Sequence, residues 1–550
     1  MKNKIYKMFA MGLGVLALSS CNDYLDKLPD ERAELNSDLK ITQLLVSAYP
    51  TVNNVLITEV LSDNMDDNGR TYSAPAIMDQ IYRLQDTNEE GNDTPYYIWG
   101  GYYESVATVN EAIQGINNLG NPASLQGALA EAKLIRAYSM FMLAQTFCMA
   151  WDPAKADEYQ GLPYPLIPEQ DINATYERGT LRQLYEAIDK DIEEALPHIA
   201  EAAADYSIPK YHFNVKAAYA FAARFNLYYM KYDKVIKYAS EVLGNDPTTV
   251  MRYYEPYRSL GFVDFANRWI RSEEQANLMI LASYSIAPRY LNSSYRFAHN
   301  YDITAYETYW VDMPWGSGSS NNTIIYSNKL YGSNQCVRYP SYYEQFEYTD
   351  KVAGIGYPHA VDPVFTGDLT ILERAEAYCL SGDLESAVKD INTWIVTHCK
   401  ESEGKTVRPV MTVKSITSYV TGTDYAKRTP DGNRDRSFRK HMHPQGFTID
   451  AEGSDQESML QFILHMKRIE TVFHGIRMQD LKRYGIEYTH PVVGEDPQIF
   501  IRGDLRGAVQ IPNTVITAGL EGNPRQIPEE IKSFVLATED EYKDPDEDEE

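Results

Sequence analysis

Tyr306, Tyr309, Trp310 and Trp315 stand close together, with glycines and serines between them and Asn321 and Asn322 just beyond. Nothing in their spacing pairs a nucleophile with an activating base. They offer flat apolar faces and amide groups, which suit a ligand with apolar C–H faces and a hydroxyl rim. A second stretch has the same mixture: Asp63, Asn64, Asp67, Asn68 and Arg70, followed by Tyr96, Tyr97 and Trp99. Trp310 and Trp315 lie in a region without helical or strand periodicity, so ligand contact is expected of at least one of them. Trp99 suits the cap of a core helix as well as it suits a ligand.

Bond-making chemistry has no comparable constellation. Gly316-Ser-Gly-Ser-Ser320 lacks the Gly-x-Ser-x-Gly spacing of a nucleophile elbow. No phosphate-binding glycine loop follows a strand. His441-Met-His443 sets two imidazoles on one side of an extended segment, among Arg434, Arg436, Arg439 and Lys440. With no cysteine or carboxylate cluster beside it in sequence, it reads as a surface loop and not a zinc site. Asp63 to Gly69 begins like a calcium loop, but Met65 interrupts the alternating oxygen ligands and the twelfth place is not acidic. That excludes an EF-hand and leaves only an irregular calcium site open. With 78 acidic residues no catalytic carboxylate pair can be singled out. No enzyme activity, cofactor or metal is expected.

The elements that must carry these residues are mostly helical. Ala128 to Phe147 has apolar residues at helical spacing, and Leu181 to Leu196 forms a second helix, entered after Thr180 and stopped by Pro197. Asn214 to Met230 and Lys234 to Leu243 make a pair, and Leu369 to Leu380 and Leu384 to Thr397 make another, turned at Ser381-Gly382-Asp383. Both pairs look like tetratricopeptide hairpins, with Ala375, Tyr378, Gly382 and Ala387 at the repeat's spacing and Ala223, Val235 and Pro247 in matching places. They lie far apart in sequence, so a scaffold with a large insertion is expected, not a tandem solenoid. The fold class is therefore mainly α: a tetratricopeptide-like scaffold with a loop-rich insertion and little β structure. The insertion, 251–368, is rich in Tyr, Asn, Ser, Gly and Pro, and such long non-periodic stretches inside a folded chain are usually functional or disordered. Its aromatic density argues for order.

Among 550 residues there are 43 Tyr, 17 Phe and 6 Trp, and Asp plus Glu exceed Lys plus Arg by 78 to 51, a net charge of −27. Such a chain repels a phosphate backbone, so no nucleic acid partner is expected. Lys2, Lys4 and Lys7 precede an apolar run from Met8 to Leu18, too short to cross a membrane, and Leu18-Ser19-Ser20-Cys21 follows. This reads as a signal peptide, 1–20, ending in a lipobox, with Cys21 as the lipidated first residue and its acyl chains as the link to membrane lipid. Cys148, Cys336, Cys379 and Cys399 are too few and too scattered for a disulfide framework, although one bridge stays possible. The end of the chain, 539–550, is an acidic tail that should be solvated.

Four segments together resemble the SusD/RagB family of nutrient-binding outer-membrane lipoproteins of Bacteroidota: Cys21-Asn-Asp-Tyr-Leu-Asp26; Leu372-Glu-Arg-Ala-Glu-Ala-Tyr378 with Gly382-Asp383 and Ile391-Asn392; Arg468 through Gly485; and Gln510-Ile-Pro-Asn513 with Asn523-Pro524. Ile476 and Tyr484 depart from that family's usual residues, and the acidic tail is extra. Arg477 and Asp480, three apart on one helix, can pair, and the cluster around them reads as architecture that locks the C-terminal segment to the scaffold. The resemblance implies a non-catalytic lipoprotein anchored through Cys21 to the outer membrane, facing outside. It would bind a glycan and deliver it to a SusC-like TonB-dependent transporter. It divides the chain into an N-terminal region at 21–250, the insertion as candidate ligand face, and a C-terminal region at 369–538. It also implies that the two aromatic stretches converge, which makes Tyr306, Tyr309, Trp310, Trp315, Asp67, Asn68, Arg70 and Trp99 the ligand-binding candidates. The alternatives are a tetratricopeptide-based lipoprotein that binds peptide or protein, and an all-helical hydrolase.

Overall fold

The computed structural model describes residues 35–169, 176–202, 206–318, 323–403, 407–427 and 436–526. The signal peptide, Cys21, Asn321, Asn322, Arg434 and the acidic tail lie outside the described residues.

Helices dominate, and the sequence signals mark their ends. The long helices α1 (Pro95–Asn118) and α2 (Gln126–Phe147) precede α3 (Leu181–Ala195). Thr180 and Gln183 close a reciprocal capping box at the start of α3, satisfying two otherwise orphaned amides. α4 (Val215–Tyr228) starts from the Asn214 side chain, which accepts from Ala217 N at 3.1 Å, and α5 (Tyr232–Leu243) folds back on it. Within the insertion lies a short helix, α6 (Tyr301–Tyr306). After it come α7 (Gly367–Leu380) and α8 (Leu384–His398), turned at Gly382, whose φ of +85° is the left-handed region that favours glycine. α9 (Asp455–Glu470) and α10 (Arg477–Tyr484) complete the scaffold.

The two hairpins that are distant in sequence are neighbours in space, with α5 packed on α7. Arg374 of α7 grips Asp390 of α8 with two hydrogen bonds, at 2.8 and 2.7 Å, and its third nitrogen donates to Ser240 Oγ of α5 at 3.1 Å. Arg224 of α4 donates to Glu373 of α7 at 2.8 Å, and Arg136 of α2 holds Asp191 of α3 the same way. The hairpins therefore stack as adjacent repeats while the insertion leaves and returns between them. These buried arginines are paired, as burial of a charge requires.

Three small sheets make the insertion more regular than its composition suggests. β1 (Asp66–Asp67) of the N-terminal loop pairs with β3 (Phe297–Ala298), while β2 (Asn277–Ser283) begins a three-stranded antiparallel sheet. A small hairpin, β4 (Tyr331–Ser333) and β5 (Cys336–Arg338), precedes β6 (Glu344–Asp350) and β7 (Ile355–Thr366), and the sheet order is β2-β7-β6. The central strand, β7, carries two prolines, which a paired strand normally rejects. Pro363 falls in the register shift between the pairs Met279–Phe365 and Leu281–Asp362, and Pro358 lies beyond Ala360, where the pairing with β2 ends. Pro358 still faces Phe346 of β6, but there β7 is no longer flanked by β2 and so is an edge strand, where proline is tolerated. Thr366 then caps α7 by accepting from Leu369 N.

The C-terminal signature corrects one expected pair. Arg477 does not bind Asp480. It donates from Nε and Nη2 to the two carboxylate oxygens of Asp63, each at 2.8 Å, and Asp480 accepts instead from Lys467 (2.8 Å) and Arg483 (3.2 Å). Glu376 of α7 accepts from Lys467, Arg483 and Tyr484, so the cluster does tie α9 and α10 to the scaffold. Cys148, Cys336, Cys379 and Cys399 are all free and buried. Among the described residues no helix is long and apolar enough to cross a membrane.

Candidate functional site

The N-terminal loop and the insertion meet, but most of the loop's polar groups are fasteners. β1 pairs with β3, which sets residues 66–70 beside the segment that leads into α6. Asp63 is buried against Arg477, and Asn64 donates to Glu59 while accepting from Arg468. Asp67 accepts from Nη2 of Arg296 at 2.8 Å and from the backbone amides of Gly69 and Val493. The Asn68 amide donates to the carbonyls of Tyr295 and Gln335. Arg70, largely exposed, reaches the carbonyls of Val493 and Gly494 and the carboxylate of Glu495. Of the loop candidates, Arg70 is the one most open to solvent.

The insertion aromatics divide into two groups. Tyr306 is 51% exposed, and Trp310 is half-buried, its indole N–H donating to Ser327 O at 3.1 Å. Tyr309 and Trp315 are core residues instead. Tyr309 packs edge-on against Tyr326, and Trp315, 1% exposed, is ringed by Trp394, Phe462 and His465. Their rings are covered by protein, which corrects the expectation of ligand contact for Trp315. The Gly/Ser-rich context is a turn that drives the indole inward between α8 and α9: Gly316 N bonds Met313 O, and Thr323 N returns to Trp315 O.

Sequence reasoning missed Tyr301 and Asp302. Asn300 starts α6 by accepting from Ile303 N at 3.1 Å, while its amide donates to Asp66 of the loop at 2.9 Å. With Ile303 and Thr304 buried, Tyr301, Asp302, Ala305 and Tyr306 occupy the outer arc of the helix. Tyr301, 44% exposed, lies 5.6 Å from the Trp310 ring. Asn300 marks a helix start in the sequence, but which residues form the outer arc depends on the burial of Ile303 and Thr304. The resulting surface holds three aromatic rings with a carboxylate between the two tyrosines.

What fixes α6 is the residue after it. Glu307 is buried and accepts from Arg436, Lys440 and Arg468 at 2.8, 2.9 and 2.9 Å. Burial alone would raise its carboxyl, but Lys440, Arg468 and Arg436 hold it well below the usual carboxylate range. This also corrects the surface-loop reading of the basic segment: Arg439, Lys440 and His441 are buried, and Arg436 additionally pairs with Asp66 at 2.6 Å. His441 binds Glu452 at 2.7 Å and stacks on Tyr425 at 4.1 Å. The partners come from distant segments, so local sequence could not reveal them.

Trp99 belongs to a different place. It tilts against Tyr103 (4.9 Å) and Phe147 (5.3 Å) and lines an apolar cavity of about 350 Å³ with Tyr103, Pro163, Ile167, Tyr176 and Leu520. No insertion residue lines that cavity among the described residues. The structure therefore does not bring Trp99 together with Tyr306 and Trp310. Among the described residues, one group of three side chains could hold a metal ion, the buried Asp368, His398 and Glu470.

Residues 23–227 match a SusD-like family model described as starch-binding, associating with the outer membrane. A SusD superfamily protein from Bacteroides thetaiotaomicron is 17% identical, with a TM-score of 0.57 over 90% of this chain and 98% of that one. A SusD superfamily protein from Bacteroides vulgatus is 15% identical, with a TM-score of 0.56 over 90% and 100%. A SusD-like carbohydrate-binding protein from Bacteroides vulgatus is 13% identical, with a TM-score of 0.52 over 86% and 89%. At these identities the likeness is one of fold. A comparison with curated proteins finds no match.

Proposed function

From a chain whose residues 23–227 match a SusD-like family model and whose described structure has the SusD superfamily fold, we propose a non-catalytic glycan-binding lipoprotein of the outer membrane. It is anchored through Cys21, faces outside, and hands an oligo- or polysaccharide to a SusC-like TonB-dependent transporter. The observation that carries the reading is the outer arc of α6, where Tyr301 and Tyr306 flank Asp302 and Trp310 stands beside Tyr301. Flat rings complement the apolar faces of pyranose rings, and a carboxylate can accept from two hydroxyls. Glu307, gripped by three cations, holds the platform in place without ligand, so little ordering cost falls on binding.

The tetratricopeptide-type peptide groove has less support. α7 is buried along nearly its whole length, as is α4 from Ala217 to Tyr228 apart from Tyr219, so these helices offer no open inner face. A screen of the purified protein against plant, host and microbial polysaccharides, paired with native purification from outer membranes, tests the proposal. Retention of one glycan class and co-purification of a large β-barrel protein are expected. Binding to no glycan, or a solitary protein in mild detergent, contradicts it.

A further inference from the structure

The turn and hairpin that follow the outer arc of α6 are tied to it at both ends. Trp310 donates its indole N–H to Ser327 O, inside the helical turn Ile325–Lys329. The backbone N–H of Tyr301 donates to Asn334 O, at the tip of the β4–β5 hairpin, at 2.9 Å. Tyr301 and Trp310 are themselves neighbours, with their rings 5.6 Å apart. The segment 327–334 therefore leaves from one ring of the candidate ligand face and returns to the other. A further tie, Val337 N to His299 O at 2.8 Å, sets β5 beside the residues that lead into α6.

Near the middle of that segment is Tyr331, 41% exposed, and it is one of a cluster. Phe262, the first residue of the helix Phe262–Trp269, meets Tyr331 edge-on at 5.3 Å and Tyr343 edge-on at 5.8 Å. Tyr343, just before β6, is 37% exposed. Arg338 of β5 lies directly opposite Tyr331 in the hairpin register, so both side chains leave by the same face, and Arg338 is exposed too. Lys329 Nζ donates to Leu260 O at 3.1 Å, which fixes the segment against the residues before Phe262. Tyr331, Tyr343 and Arg338 make no side-chain hydrogen bond among the described residues. Their polar ends are open to a ligand, whereas the hydroxyl of the buried Tyr326 is taken up by Ser341.

We propose that Phe262, Tyr331 and Tyr343, with Arg338, form a second sugar-contact platform, and that the ligand is a chain of several sugar units running from the α6 arc along 327–334 to this cluster. The proposal rests on the glycan reading of the α6 arc and deepens it by assigning the length of the ligand. Tyr331 is three strand residues from Asn334, a separation of about 10 Å. A single sugar stacked on Tyr301 does not reach it. A longer chain offers a fresh apolar ring face at each unit, and its second contact is intramolecular once the first is made, so two separated platforms favour length. Tyr301, Tyr306 and the whole of β4 are exposed, so a chain can pass across both platforms without presenting an end. The ligand class is therefore an internal stretch of a polysaccharide.

Electrophoresis of the full chain through gels containing amylopectin, arabinoxylan, galactomannan, pectin or chondroitin sulfate finds the polymer, and calorimetry then uses its own oligosaccharides, from about two to about eight units. Wild type should gain at least about tenfold in affinity from the shortest to the longest. In Tyr331→Ala plus Tyr343→Ala the longest should bind at least about tenfold more weakly, while the shortest keeps its wild-type affinity. Tyr301→Ala plus Tyr306→Ala should weaken every length, which keeps the two platforms apart. Wild-type affinity for the longest chain in the Tyr331 and Tyr343 variant overturns the second platform and leaves the α6 arc standing. Retention of wild type by none of the polymers overturns both. Unchanged glycan affinity with loss of the co-purified β-barrel protein assigns the cluster to protein contact and also overturns the proposal. Should the double variant fail to fold, Tyr331→Ala alone decides in the same way, at about fivefold.

Discussion

Arg477 is joined to Asp63, 414 positions away, by two hydrogen bonds of 2.8 Å, and not to Asp480 on its own helix. The beginning and the end of the described chain are thereby held together at the loop that leads, through β1 and β3, to α6. Arg468 strengthens the joint by donating to the Asp63 carbonyl, to Asn64 and to Glu307 at once. The helix-and-turn signature near the C-terminus is thus a clamp under the candidate ligand face.

Removing one partner of this clamp should be costly. Asp63→Asn leaves Arg477 buried with its countercharge gone, and loss of a partner from a buried pair typically costs about 3–5 kcal/mol. Chemical denaturation should show a fall of that order.

Acid should weaken the same region. Burial would raise the Glu376 carboxyl, but Lys467 and Arg483 bring it down to about 2. A depressed carboxyl contributes stability above its unfolded value, near 4.5, and loses it as pH falls toward 2. Unfolding free energy measured from pH 6 down to about 3 should drop, and Glu376→Gln, already destabilised, should show a shallower drop.

Gly485 ends α10 in the left-handed region, at φ +55°, and a Cβ there would collide with the His443 carbonyl oxygen. Gly485→Ala should lower stability by more than the roughly 1 kcal/mol that left-handed backbone alone costs a non-glycine residue. Thermal unfolding checks this.

Trp315→Ala and Trp310→Ala should part company. The first empties a fully enclosed site and should cost about 3–5 kcal/mol of stability. The second removes a half-buried ring of the candidate face and should act mainly on ligand affinity. Unfolding curves for the two variants separate these roles.

Local signals carried the fold well where both partners of an interaction are near in sequence. Thr180 with Gln183, Pro197 after α3, and Gly382 between α7 and α8 are short-range features, and the helices begin and end close to where those residues predict. Long-range pairings were not legible. Arg436 and Lys440 read as a solvated basic loop because their acceptor, Glu307, lies 129 and 133 positions away. Trp315 read as a ligand ring because glycine and serine neighbours describe a turn, not which way the indole points. Tyr306 was legible as an aromatic in the insertion, while its companions Tyr301 and Asp302 emerge only when α6 is seen to present one outer arc.

The anchor assignment has its own check. Cys21→Ala should release the protein from washed outer membranes while circular dichroism shows an unchanged fold. Retention at the wild-type level contradicts lipidation at Cys21.

The central claim is that the outer arc of α6 binds a glycan, and calorimetry tests it most directly. Oligosaccharides from the retained polysaccharide class are titrated into wild type and into a Tyr301→Ala plus Tyr306→Ala variant whose fold has been confirmed. Each lost stacking platform should cost about 1–3 kcal/mol, by analogy with bases stacked on aromatic side chains, so the double variant should bind at least tenfold more weakly. Wild-type affinity in the folded double variant contradicts the account.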